Sequence, residues 1–268
     1  MLKQRLIAVI IGLPVLVVLV TWGGWPFYLM VLGLNAIAAW EYWHMFQVSG
    51  YSPSRVLLTA GTVGVTLHRI LFGRQGVDIL LSLMVLACMA WHLLDYERGR
   101  KTAAVDFAIT LGGVLYIGWL GAYMISLRDL PDGKWWMLMV IPTIALADAG
   151  AYLIGQRFGR HKMAPRLSPK KSWEGLFGGA LSAIVGGALL AWLWGLAFPV
   201  LTPLKGALLG LVLGLLTPLG DLGESMLKRA AGVKDSSNLI PGHGGILDRL
   251  DSWLWGAVIG FYMIIFLF

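Results

Sequence analysis

Nine stretches of apolar residues alternate with short polar segments along this chain. Most of them match the roughly 17–25 residues that a helix needs to cross a bilayer core of about 30 Å. The apolar runs lie near 6–22, 26–40, 56–73, 77–94, 104–126, 135–155, 173–198, 204–224 and 252–268. The pattern predicts an all-α fold, a polytopic integral membrane helical bundle with about nine transmembrane helices. Eight is the nearest alternative, because the second run is short and the split between the third and fourth runs rests on Gly73, Arg74 and Gly76.

The composition agrees with a membrane protein. Of 268 residues, 58% are hydrophobic and 13% are charged, whereas a soluble domain carries about 25% charged residues. The longest polar segments, 156–172 and 225–251, are too short to fold alone, so we expect a single membrane domain over 1–268. Residues 1–130 would then supply N-terminal spans for scaffold, dimer contact or lipid access, and 131–268 the half with the polar site. The single Cys88 excludes an intramolecular disulfide and a multi-cysteine metal site.

The basic residues predict the orientation. With the N-terminus inside and nine spans, sixteen of the 21 Lys and Arg residues face the cytoplasm, as the positive-inside rule requires. They are Lys3, Arg5, Arg55, Arg98, Arg100, Lys101, Arg157, Arg160, Lys162, Arg166, Lys170, Lys171, Lys228, Arg229, Lys234 and Arg249. Nucleic acid is not expected as a partner, because these residues flank helices and form no separate module.

Residues 221–251 hold the densest group of charges, with five acidic residues, four basic residues and one histidine. Asp221, Glu224, Ser225 and Lys228 are spaced so that they share one helical face. Pro218 lacks a backbone N–H and leaves a carbonyl oxygen free one turn earlier. Carboxylates beside loosened backbone oxygens suit Mg²⁺. The alternative is that these residues only mark a helix leaving the membrane, and for Glu224 both interpretations stay open.

A Pro-Gly-His-Gly-Gly loop follows in the same segment. Gly244 and Gly245 free the backbone to present N–H groups to phosphate oxygens, next to the positive end of a helix that we expect to begin near Ile246. Asp248 and Asp251 come directly afterwards on one helical face. Carboxylates beside a phosphate site indicate a cation between them.

His243 in this loop has three possible roles. It could donate to phosphate, act as an acid or base, or brace the loop.

A second polar cluster precedes the seventh apolar run. Ser172 is a good N-cap, with Glu174 in the first turn, so the helix is expected to begin there. Lys170 and Lys171 stand just before it, where they could bind phosphate or serve only as flanking positive charge. Asp148 lies inside the sixth run with no cation in its own segment, which makes it a functional candidate.

The residues from 225 to 251 resemble the signature of the phosphatidate cytidylyltransferases (CDP-diacylglycerol synthases), S-x-x-K-R-x4-K-D-x5-P-x-H-G-G-x-x-D-R-x-D. The matching positions are Ser225, Lys228, Arg229, Lys234, Asp235, Pro241, His243, Gly244, Gly245, Asp248, Arg249 and Asp251. The stretches around Asp148 and from Ser168 to Gly175 are also similar to that family. The first hundred residues match only as several apolar spans.

The resemblance implies an Mg²⁺-dependent reaction in which CTP and phosphatidate give CDP-diacylglycerol and pyrophosphate in phospholipid biosynthesis. It implies a metal centre on Asp221 and Asp248, with K⁺ as a candidate second ion, and a homodimer in the bilayer. We expect a multi-pass protein of the cell (inner) membrane whose active site faces the cytoplasm.

Residue roles follow from that resemblance and from the chemistry of nucleotidyl transfer. The expected catalytic residues are Asp221, Asp248, Lys228, Arg229, Lys234, His243 and Arg249. The expected substrate-binding residues are Lys170, Lys171, Ser225, Asp235, Gly244, Gly245, Asp251 and Asp148.

Two other functions fit the sequence less well. A CDP-alcohol phosphotransferase would carry the pattern D-G-x-x-A-R-x8-G-x3-D-x3-D, which is absent from this sequence. An ion-coupled transporter would use the intramembrane carboxylates, but it would not need a glycine-rich loop bordered by Lys and Arg.

Overall fold

The computed structural model describes residues 2–237, 239 and 244–268, with side chains described from residue 12 onwards. Helices dominate the described chain. They are α1 (Leu2–Trp22), α2 (Gly24–Val48), α3 (Arg55–Phe72), α4 (Val77–Glu97), α5 (Ala103–Gly113), a π-helix (Val114–Trp119), α6 (Tyr123–Arg128), α7 (Gly133–Phe158), α8 (Trp173–Gly195), α9 (Pro203–Ala230) and α10 (Leu247–Leu267).

Seven helical segments within the described residues are long and apolar enough to cross a membrane. They are α3, α4, the stretch Ala103–Arg128, α7, α8, α9 and α10. The predicted all-α polytopic membrane fold is therefore confirmed. The first two predicted runs correspond to α1 and α2, helices of 21 and 25 residues that are not among the seven, so a total of nine spans stays a prediction.

The chain divides into two compact units. The N-terminal unit comprises Met1–Ser126 together with Lys228–Leu250, and the C-terminal unit comprises Leu127–Leu227 together with Asp251–Phe268. The expectation of a single membrane domain, with its two halves meeting at 130/131, stays a prediction. The sequence did not indicate that the polar segment from Lys228 onwards belongs with the N-terminal helices.

The core of the N-terminal unit forms where α2, α3 and the π-helix meet. Phe27, Leu58 and Ile117 are fully buried there. Gly118 permits this approach, because a Cβ at that position would lie 2.9 Å from the Cα of Thr62 in α3. The helix α4 is far more exposed, with 11% of its apolar span buried, as expected for a helix that faces lipid.

The core of the C-terminal unit depends on close packing of helices at glycine. A Cβ at Gly206, Gly210 or Gly214 in α9 would collide with the backbone of α8. This four-residue glycine repeat therefore permits the close approach of α8 and α9.

The polar segment between α7 and α8 contains a short antiparallel sheet that the sequence pattern did not predict. Its strands are β1 (Lys162–Ala164) and β2 (Ser168–Ser172), with Lys162 opposite Ser172 and Ala164 opposite Ser168. The sheet ends directly at the start of α8. The residues immediately before that helix are therefore held by a strand pairing.

Candidate functional site

Three carboxylates come together in the C-terminal unit. Asp221 and Glu224 lie one helical turn apart in α9, and Asp251 comes from α10. Each offers an oxygen, and these atoms all lie within 4.8 Å of one another. Gly220 lets the two helices approach, because a Cβ there would lie 2.6 Å from the carbonyl oxygen of Asp251. Glu224 is buried, with 1% of its surface exposed.

The ammonium group of Lys171 contacts this acidic group. Its Nζ lies 2.9 Å from Oδ2 of Asp221 and donates to the backbone carbonyl oxygen of Pro218 at 3.1 Å. Ser225 donates its hydroxyl to Oδ1 of Asp221 at 3.4 Å. Lys171, which the sequence predicted as a phosphate-binding residue, therefore lies against a carboxylate of the expected metal site.

Local structure explains why Lys171 points this way. It is the penultimate residue of β2, and Ser172 caps α8 by accepting the N–H of Gly175 at 3.1 Å, as the sequence predicted. Glu174, in the first turn, accepts the backbone N–H groups of Arg160 and His161 and the ring of His161. The residues that lead into β1 and the last residue of β2 are thereby both bound to the first turn of α8.

The acidic group fits a divalent cation. Three carboxylates supply only hard oxygen ligands, which Mg²⁺ prefers. Gathering three carboxylates within 4.8 Å on helices that are long and apolar enough to cross a membrane, one of them buried, is costly unless positive charge compensates them. Lys171 supplies one such charge to Asp221.

Asp248 lies in the N-terminal unit, in a different set of contacts. Its Oδ1 accepts the ammonium group of Lys228 at 2.5 Å, and its Oδ2 accepts the hydroxyl and the N–H of Ser236 at 2.8 and 3.0 Å and the N–H of Gly245 at 2.7 Å. The side chains of Lys228 and Asp248 are 12% and 7% exposed. The expectation that Asp248 shares a metal ion with Asp221 stays a prediction.

The two glycines before α10 have separate reasons to be glycine. Gly244 adopts a φ of +84°, in the region that only glycine enters without strain, and a Cβ there would lie 2.6 Å from Oδ2 of Asp248. A Cβ at Gly245 would lie 2.5 Å from the Glu41 carboxylate. The N–H of Gly245 is directed to Asp248, so its expected role as a phosphate donor stays a prediction.

The remaining predicted residues are distributed over the surfaces of the two units. Arg229 donates to the carbonyl oxygen of Val233 at 3.3 Å. The exposed members of the predicted set are Asp148, Lys170, Arg229, Lys234, Asp235 and Arg249. His243 lies outside the described residues.

Two carboxylates of these clusters are not among the residues predicted as catalytic or substrate-binding. Glu224, for which the sequence supports two interpretations, belongs to the acidic group. Glu41, in α2, has no role predicted from the sequence, yet its carboxylate accepts hydrogen bonds from the segment that carries Asp248. The available signal is a glutamate directly after the apolar run 26–40.

Comparison with known proteins finds a family and several relatives for this chain. The model of the Cytidylyltransferase family matches residues 3–268. The chain is similar to a phosphatidate cytidylyltransferase of Synechocystis sp., with 33% identity over 299 residues that cover 98% of this chain and 97% of that protein. A protein of the same name from Pseudomonas aeruginosa is 35% identical over 267 residues, with 94% and 93% coverage. One from Mycobacterium bovis is 34% identical over 234 residues, with 83% and 74% coverage.

The family match, over residues 3–268, includes both units. A family model that extends over almost the whole chain, together with relatives above 30% identity, identifies the family: this chain belongs to the cytidylyltransferase family.

Proposed function

We propose that this protein is a phosphatidate cytidylyltransferase, which transfers the cytidylyl group of CTP to phosphatidate and releases pyrophosphate. The observation that carries the proposal is the similarity over nearly the full length to relatives of that name. Two groups of charged residues support the proposal. The acidic group around Asp221 and the Lys228–Asp248 pair each place a lysine against a carboxylate, in a chain that is mostly apolar.

In the proposed reaction, an oxygen of the lipid phosphate attacks the α-phosphorus of CTP in line. A new P–O bond forms to the lipid, and the bond to the β-phosphate bridging oxygen breaks with pyrophosphate as the leaving group. The attacking oxygen is already an anion, so no strong base is needed. The main difficulty is bringing two polyanions together, which positioning and charge neutralisation overcome.

The chain's own residues supply that positioning. Lys171 is held at the acidic group by β2 and by the capped start of α8, so its ammonium group is a preorganised donor to a phosphate oxygen. Lys228 is fixed by its contact with Asp248. We assign phosphate binding also to the exposed cations Lys170, Arg229, Lys234 and Arg249.

We assign the metal site to Asp221, Glu224 and Asp251, with the Asp248 contribution kept as the prediction made from the resemblance. When bound, Mg²⁺ would neutralise phosphate oxygens of CTP and the charge that develops on pyrophosphate. The fit of the donor set supports this assignment, since all three residues offer carboxylate oxygens.

We place the protein in the cell (inner) membrane with its active site towards the cytoplasm, as a homodimer. The basic residues flanking the helices support this orientation. The substrates would arrive from two phases, with CTP from the cytoplasm and phosphatidate from the bilayer.

The test uses purified protein with labelled CTP, phosphatidate and Mg²⁺. We expect a CDP-lipid and one pyrophosphate for each CTP consumed. A CDP-alcohol phosphotransferase would instead consume CDP-lipid and release CMP, and a transporter would give no nucleotide product. Absence of CDP-lipid from folded protein would refute the proposal, and full turnover in EDTA would refute the metal assignment.

A further inference from the structure

Glu41 of α2 is fully buried, and four donor groups lie around its carboxylate. Oε1 accepts the N–H of Ile246 at 2.9 Å and the hydroxyl of Ser237 at 2.5 Å. Oε2 accepts the N–H of Leu247 at 2.7 Å and lies 3.2 Å from the hydroxyl of Ser236, whose one proton it shares with Asp248. All of these donors come from the segment that leads into α10.

The donor pattern requires a carboxylate. An ionised carboxylate only accepts hydrogen bonds, and it offers about four lone-pair sites. Each oxygen of Glu41 faces one backbone N–H, which cannot reverse its direction as a hydroxyl can. An amide in place of the carboxylate would therefore point its NH₂ group at a backbone donor. The carboxylate also lies at the N-terminus of α10, where backbone N–H groups have no partner within the helix and favour an acceptor.

Ser236 connects Glu41 to Asp248. Its hydroxyl lies 3.2 Å from Oε2 of Glu41 and 2.8 Å from Oδ2 of Asp248. The turn at Gly245 is enclosed between the two carboxylates, since its N–H donates to Asp248 at 2.7 Å and a Cβ there would lie 2.5 Å from Glu41. Glu41 and Asp248 are thus connected through one side chain and one turn.

We propose that Glu41 is a positioning residue of the active site, which holds the start of α10 so that Asp248 and Lys228 keep their geometry. This inference rests on the proposed function. It gives α2 a role in the reaction, in addition to its role in packing.

The first test compares Glu41→Gln with Glu97→Gln, which makes the same chemical change at an exposed glutamate of the same unit. For protein that elutes as a single species in detergent, we expect the kcat of Glu41→Gln to fall by about tenfold to a hundredfold, in line with the loss of a residue that orients a catalytic group. Glu97→Gln should match the wild type. A purely structural role would lower the yield of folded protein and leave the kcat of that protein unchanged, which would overturn the proposal.

The second test keeps Glu41 and needs no variant of it. Ser236→Ala removes the hydroxyl that lies between Glu41 and Asp248, whereas Ser237→Ala removes one that contacts Glu41 but has no described contact with Asp248. We expect a loss of kcat for Ser236→Ala that is at least about fivefold larger than for Ser237→Ala. The reason is that the Ser236 hydroxyl contacts both Glu41 and Asp248. Equal effects, or none, would overturn the proposal even if Glu41→Gln does not fold.

A third measurement separates this proposal from the proposed function. Hydrogen exchange at the amides of Ile246 and Leu247 should be faster in Glu41→Gln than in Glu97→Gln, whatever reaction the protein catalyses. If the wild-type protein is inactive but the two variants differ in exchange rate, the proposed function is refuted and the contact between Glu41 and the start of α10 is supported. Active wild-type protein without that difference would refute the role of Glu41 alone.

Discussion

Lys171 and Asp221 form an ion pair of 2.9 Å between β2 and α9. Asp221 is one of the two carboxylates expected from the sequence to hold a metal ion, and Lys171 is one of the cations expected to bind phosphate. Their contact means that the lysine partly compensates the negative charge of the acidic group. A cation bound at the proposed metal site and Lys171 would therefore compensate the same group of carboxylates.

Removing this lysine should make folding depend on a divalent ion. We expect Lys171→Met to lower the thermal midpoint in EDTA by about 2–4 °C, the shift that roughly 1 kcal/mol produces in a chain of this size. Mg²⁺ should restore most of the loss by supplying the missing positive charge. Lys170→Met is the matched control. Because Lys170 is exposed, the effect of this change on the thermal midpoint should be the same in EDTA and in Mg²⁺. Equal midpoints for Lys171→Met in EDTA and Mg²⁺ would contradict the assignment.

Neutralising any one of the three clustered carboxylates should weaken metal binding. For Asp221→Asn, Glu224→Gln and Asp251→Asn, we expect the Mg²⁺ concentration for half-maximal activity to rise at least about tenfold, since each change removes a charge and an oxygen donor. The titration is repeated with Asp78→Asn, an exposed acid at the start of α4, which should follow the wild-type curve. An unchanged titration for Glu224→Gln would remove Glu224 from the site.

Asp248 and Lys228 should behave as one functional unit. We expect Lys228→Met and Asp248→Asn each to lower kcat by about 100-fold or more, the scale on which preorganised charged donors contribute. The double variant should be little worse than the poorer single variant, because each change already disrupts the pair. Lys101→Met, at an exposed lysine, serves as the control. Losses that multiply in the double variant would show that the two residues act independently.

The glycines of α9 should be sensitive to added volume. A Cβ at Gly210 would collide with the carbonyl of Ala183 and lie 2.8 Å from the N of Ile184, so Gly210→Ala should destabilise the fold by about 1–3 kcal/mol. Gly64→Ala, in α3, meets nothing within 4 Å and should be neutral or slightly stabilising. Thermal unfolding in detergent measures both. A midpoint for Gly210→Ala as high as that of Gly64→Ala would contradict the close packing of α8 and α9.

Much of the fold could be predicted because its signals are local. The seventh apolar run was predicted to start at 173 after an N-cap at Ser172, and α8 begins at Trp173 with that cap. The short sheet before it was missed, because strands of three and five residues that contain Lys and Pro give no alternation of polar and apolar positions.

The candidate site shows the same contrast between local signals and tertiary contacts. The sequence by itself determined a membrane chain with its polar chemistry near α9 and α10, because hydropathy and a spaced motif are properties of neighbouring residues. Only the tertiary structure decided that Asp221 lies with Glu224 and Asp251, and that Glu41 accepts the N–H of Ile246, 205 positions away. The physical reason is that a carboxylate is stabilised by whichever donors the folded helices bring to it, and no local pattern records those donors.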